Sequence, residues 1–128
     1  MGMDVYGRKA ANKDGEYFKA NVWSWRPLQT LMIAAGCEEA KNWGSNDGLG
    51  LNTQKECNVL ADQLESYVKR NPETTYSIPL SEDAKARGLG IDEHGTFGRG
   101  SLSPYSIDLD HVRDFIKFLR ACGGFTVC

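Results

Sequence analysis

GEYFKANVWSWRPL, residues 15–28, decides how the rest of the chain is read. It carries Tyr17, Phe18, Trp23 and Trp25, and Arg26 follows Trp25 directly. Proline suits the first position of a helix, where its missing N–H has no intrahelical partner to lose. Pro27 therefore predicts a helix that starts near Arg26. Leu28, Leu31, Met32 and Ala35 then recur at three and four, which makes one apolar face. Gly36 is its stop signal. Residues 16–22, just upstream, read as an extended segment whose apolar positions do not alternate cleanly.

Working outward, residues 3–6 favour a first strand through Val5 and Tyr6. Residues 7–15 are a polar loop with Asn12, Asp14 and Gly15. Residues 37–43 give one further helical turn, and GSNDGLGL at 44–51 is a turn-rich loop. The clearest helix spans residues 53–70. Thr53 and Glu56 match a capping box, and Cys57, Leu60, Ala61, Leu64, Tyr67 and Val68 form its buried stripe. Glu65 and Lys69 are spaced as an i,i+4 ion pair, and Asn71-Pro72 ends the run. Residues 74–79 hold Tyr76 and Ile78 at alternate positions, a candidate strand. A short helix at 81–87 and a glycine-rich loop at 88–100 follow. The last helix runs over 109–122, with Asp108 as N-cap and Ile107 and Val112 as a hydrophobic staple. Val112, Phe115, Ile116, Leu119 and Cys122 face its core side. Gly123-Gly124 closes it, and residues 125–128 read as a final strand. The expected class is α+β. It is a single compact domain over residues 1–128, with three main helices packed on a small, mainly antiparallel sheet. Residues 81–104 are expected to be a flexible loop within it.

Whole-chain quantities narrow the function classes. The 128 residues suit one domain. With 15 basic and 17 acidic residues the net charge is −2, which argues against an overall basic footprint for nucleic acid. No run approaches the ~20 apolar residues of a membrane span. MGMDVYGRKA at the start lacks the apolar core of a signal peptide, so the expected setting is cytoplasmic. Cys37, Cys57, Cys122 and Cys128 show no CxxC spacing. Cys57 and Cys122 fall on apolar helix faces, which favours buried thiols over a metal site. No metal and no cofactor is expected.

Four quoted runs occur in one order: MGMDVYG, the Trp-Arg-Pro-Leu run within 15–28, NWGSNDGLGL, and YSIDLDHVRDFIKFLRACGGFTVC. In these the chain resembles a family of small, uncharacterised proteins from bacteria and their phages. Relatives carry a cysteine-rich, zinc-knuckle-like insert before the last helix. Residues 79–103 here contain no cysteine, so a metal role of that insert does not transfer. The resemblance implies no reaction. Its phage association implies a protein that counters a host defence component.

The candidate site is an aromatic and polar set: Tyr6, Asn21, Trp23, Trp25, Arg26, Trp43, Asn46, Asp47 and Gly48. Indole faces stack on planar rings, and a guanidinium grips phosphate or carboxylate. This reading expects at least two tryptophans with a ring face open to solvent. The competing reading puts Trp23 and Trp43 in the core and pairs Arg26 with Asp47 or Asp4. The 44–53 loop matches neither a P-loop nor a dinucleotide fingerprint, and Trp43 stands where a calcium loop needs its first oxygen ligand. Solvated roles suit His94 and His111, the basic Arg87 and Arg99, and the carboxylates Glu38, Glu39, Asp47, Glu56 and Asp62, over glycosidase-like work by a carboxylate pair. No catalytic residue is assigned. The leading expectation is a non-enzymatic binding protein for a protein partner or a small anionic ligand. One alternative is a protein that sequesters a nucleotide-type anion between indoles. Another is a small hydrolase using His94 or His111 with Asp47.

Overall fold

The computed structural model describes residues 2–44, 48–77 and 106–127. The predicted 81–87 helix, the 81–104 loop, His94, Arg87, Arg99, Asn46, Asp47 and Cys128 lie outside the described residues. Three α-helices among the described residues pack with a three-stranded antiparallel sheet and a separate two-stranded one, an α+β fold.

The first helix, α1, spans Val22–Ala35 and so starts four residues before the predicted Arg26. Asn21 sets this start. Its backbone is extended, and its side-chain oxygen accepts the Ser24 N–H at 2.9 Å. An Asn cap satisfies a first-turn donor that would otherwise lack a partner. Pro27 consequently lies inside the helix, not at its first position, and withholds one N–H from the ladder. Burial compensates: Trp25 and every residue from Pro27 through Met32 are buried. A helix with six consecutive buried residues is a central element, although its first turn keeps Trp23 exposed. Its buried Gln29 amide donates to the Ala40 carbonyl at 2.7 Å, which holds the 3-10 turn Glu38–Asn42 against it. Gly36 ends α1 with φ +121°, as its position predicts.

Strands β1 (Gly2–Gly7) and β2 (Tyr17–Asn21) pair antiparallel, Val5 opposite Phe18 and Tyr6 opposite Tyr17. The period of two sends Met3, Val5, Phe18 and Ala20 into the core, while Tyr6, Tyr17 and Lys19 face outward. Helix α2 spans Gln54–Arg70. Thr53 caps it by accepting the Glu56 N–H at 3.2 Å, and its hydroxyl donates to the Glu56 carboxylate at 3.1 Å. The predicted stripe is present: Cys57, Leu60, Ala61 and Leu64 are buried, and Tyr67 and Val68 pack against them. Glu65 meets Arg120 at 3.0 Å, across the helix–helix boundary rather than along α2.

Strands β3 (Thr75–Ser77) and β4 (Ser106–Asp108) form the second sheet, with Tyr76 opposite Ile107. β4 was not expected, since three residues are too few to show a period. Asp108 is the N-cap residue of α3 (Leu109–Leu119) without a side-chain cap bond. Its carboxylate accepts from Thr75 Oγ1 at 3.3 Å instead. Helix α3 buries Val112, Phe115, Ile116, Phe118 and Leu119. Phe18, Phe115, Phe118 and Phe125 cluster with ring centroids 4.8–6.3 Å apart. Strand β5 (Phe125–Val127) pairs antiparallel with β1, giving the order β2-β1-β5.

The loop after β1 is joined to the chain beyond α3. Arg8, Lys9 and Ala11 donate backbone N–H groups to Gly124, Cys122 and Ala121 at 2.8–2.9 Å. The junction is too tight for side chains at its glycines. A Cβ on Gly15 would stand 2.0 Å from the Ala121 carbonyl oxygen. The Cys57 and Cys122 thiols are free and buried, with sulfurs 3.5 Å apart between α2 and the turn after α3, which ends at Leu119 and not at the predicted Cys122. They fill core space as the apolar-face reading expects.

Candidate functional site

The structure divides the predicted set instead of gathering it. Trp25 is 1% exposed, and its indole N–H donates to the Trp43 carbonyl at 2.7 Å. Its ring sits edge-on to Phe115. Trp43 is 2% exposed and edge-on to Phe125, with centroids 5.1 Å apart. Two of the three indoles therefore have no ring face open to solvent, contrary to the pocket reading. The cause is where α1 begins. With the helix running from Val22, Trp25 shares a face with Leu28 and Met32, three and seven residues on.

Trp23 has the opposite fate and is 47% exposed. Trp23 and Arg26 are three apart, so they are neighbours on the outer side of α1. Asn21 is spent on the helix cap. Gly48, at φ +76°, belongs to another edge of the molecule: its N–H donates to the Val127 carbonyl at 2.7 Å. Leu49 bridges the same residue, so this bend borders β5 while Asn21 ends β2. Three strand spacings separate these edges, about 14 Å. Asn46 and Asp47 lie outside the described residues, so nothing places them beside Arg26.

Tyr6 lies in a surface group that sequence reasoning only half found. It is 47% exposed on the outer side of β1, with the Tyr17 ring of β2 5.1 Å away and tilted by 42°. The Tyr17 hydroxyl donates to the Asp4 carboxylate, diagonally across the two strands. Tyr17 and Asp4 were missed because the β1–β2 register was not drawn. Placing Met3 and Val5 inward opposite Phe18 and Ala20 would have put Asp4, Tyr6, Tyr17 and Lys19 together outside.

The Asp4 carboxylate holds the Tyr17 proton. The hydrogen bond first, then burial and the negative charges nearby, push this phenol from 10.0 up to about 12. Between those two pH values the folded chain retains a proton that the unfolded chain releases. The contribution to stability is thus fully present below pH 10 and is lost as pH rises through about 12. Asp4→Asn removes the charge and should bring the Tyr17 phenol back toward 10.0. The phenolate absorbance difference between each protein and its Tyr17→Phe counterpart measures this. A midpoint unchanged by Asp4→Asn contradicts it.

His111 Nε2 lies 3.0 Å from the Lys19 carbonyl, with its ring tilted over Phe18. It ties the first turn of α3 to the open edge of β2. It also lines a polar cleft of about 360 Å³ with Lys13, Lys19, Asp114 and Lys117. The Tyr17 phenol, whose proton Asp4 holds, also lines that cleft. Among the described residues no group of three potential ligands converges to hold a metal ion. No helix among them is long and apolar enough to cross a membrane. Comparison with known protein families, with curated proteins and with solved structures finds no match.

Proposed function

We propose that this is a non-enzymatic interaction protein whose partner is a protein docking on the outer side of β1 and β2. One observation carries the reading. Tyr6 and Tyr17 stand side by side, 47% and 42% exposed, on a sheet whose other side is the core. Tyrosines offer large, stiff contact area with a polar tip, and they are enriched where protein interfaces concentrate their binding energy. Asp4 orients one of them, and Trp23 adds a third large aromatic just past the far end of β2.

This reading keeps Tyr6 and Trp23 from the sequence-based set and adds Tyr17. The nucleotide-sequestering alternative loses the two indole faces on which it depended. The resemblance to bacterial and phage proteins supports a narrower version, a phage-encoded inhibitor of a host defence component acting in the cytoplasm. Immobilised wild type, Tyr6→Ala, Tyr17→Ala and Trp23→Ala are to be compared for recovery of binding proteins from bacterial extract. A partner retained by wild type and reduced at least tenfold by Tyr6→Ala or Tyr17→Ala, with unchanged thermal unfolding, is the expected result. Equal recovery by all four folded proteins removes this face from consideration.

A further inference from the structure

We infer that a second surface, the groove between the end of α1, the Glu38–Asn42 turn and α2, receives a basic amphipathic segment of a protein partner. It shares no residue with the Tyr6–Tyr17 face and does not depend on it. The groove is open, about 640 Å³, and its floor is apolar: Ile33, Leu51 and Leu60. Val59 forms one wall and is 53% exposed, the most exposed large hydrophobic residue described. A second open hollow of about 490 Å³ shares Val59 and Gln63 and adds Ala35 beside Asp62, Ser66 and Arg70.

Charge selects the occupant. Glu38, Glu39 and Glu56 line the larger groove, and no Lys, Arg or His is among its lining residues. All three carboxylates are exposed. They do not converge as a metal site. Apolar floor and acidic rim together complement a segment with large apolar side chains on one face and Lys or Arg beside them. An amphipathic helix lying in a groove is an established mode of recognition, and a complementary rim sets which partners are admitted. An acidic or purely apolar segment would leave these carboxylates facing like charge or a poorly solvated surface.

The test uses a fluorescein-labelled twelve-residue Lys/Leu peptide of helical amphipathic pattern. Its controls are the same peptide with Glu in place of Lys and a scrambled peptide of equal charge. The expected result is saturable binding of the Lys/Leu peptide alone by fluorescence anisotropy. Affinity should fall at least tenfold with Glu38→Gln/Glu39→Gln/Glu56→Gln, and equally with Val59→Lys. Gln keeps the capping position of Glu56 serviceable. Asp110→Asn/Asp114→Asn on α3 should leave binding unchanged. Absence of saturable binding overturns the inference. So does equal binding of the scrambled peptide, or a loss no greater in the groove variants than in the α3 variant.

Discussion

Trp25→Ala should lower unfolding free energy by about 3–5 kcal/mol, the range for removing a large buried aromatic side chain. Domains of this kind have only about 5–15 kcal/mol in total, so the loss is a large share of the whole. Two losses combine. The indole is 1% exposed and packs against Phe115, so its removal leaves a cavity. Its N–H also satisfies the Trp43 carbonyl, and a buried acceptor without a partner costs about 1–3 kcal/mol. Trp25→Phe separates the two, keeping most of the volume and losing the hydrogen bond, and should fall between wild type and Trp25→Ala. Trp23→Ala, two residues away and 47% exposed, should change stability by no more than about 0.5 kcal/mol. Urea unfolding of the four proteins gives the ranking. Similar midpoints for Trp25→Ala and Trp23→Ala would show that the first indole is not in the core.

The other large effect is expected at a residue with no side chain. Gly15→Ala places a Cβ 2.0 Å from the Ala121 carbonyl oxygen and 2.8 Å from the Cys122 nitrogen. These are backbone atoms, so no rotamer change relieves the clash. The Lys13–Gly15 3-10 turn and the chain after α3 must separate, which strains the bonds from Lys9 to Cys122 and Ala11 to Ala121. Overpacking at a closed junction costs 1–3 kcal/mol and sometimes more, and a loss of about 3 kcal/mol or greater is expected here. Gly48→Ala is the comparison. Nothing lies within 4 Å of its Cβ, but its φ is +76°. Only backbone strain applies there, about 1–2 kcal/mol. Thermal unfolding should therefore rank Gly15→Ala well below Gly48→Ala, and the reverse order would contradict the close approach described.

Helix α2 was fully legible because its signals agree. Thr53 and Glu56 mark the start, six apolar positions keep a helical spacing, and Asn71-Pro72 stops it. The start of α1 was misread because two signals compete. Pro27 suggests a first position, but Asn21 already caps a helix that buries Trp25 and Pro27 through Met32, and tertiary burial outweighs the lost Pro27 bond. That four-residue displacement carries over to the site, because it decides which side of α1 each indole faces. Trp25 joins Leu28 and Met32 inside, and Trp23 joins Arg26 outside. The Tyr6–Tyr17 pair was hidden for a different reason. It exists only through strand register, which one short strand and one poorly alternating segment do not specify. β4 escaped notice because its one core residue, Ile107, reads equally well as part of a helix staple.

Strand β1 lies between β2, its neighbour in sequence, and β5, whose Val127 stands opposite Val5. The β1–β2 hairpin can assemble early during translation, but its second edge must wait on the order of 120 residues for a partner. On the ribosome, Phe18 therefore lacks Phe115 and Phe118, which later pack against it, until α3 has emerged. Chaperone demand for this chain should peak just before residues 125–127 emerge and fall once they do.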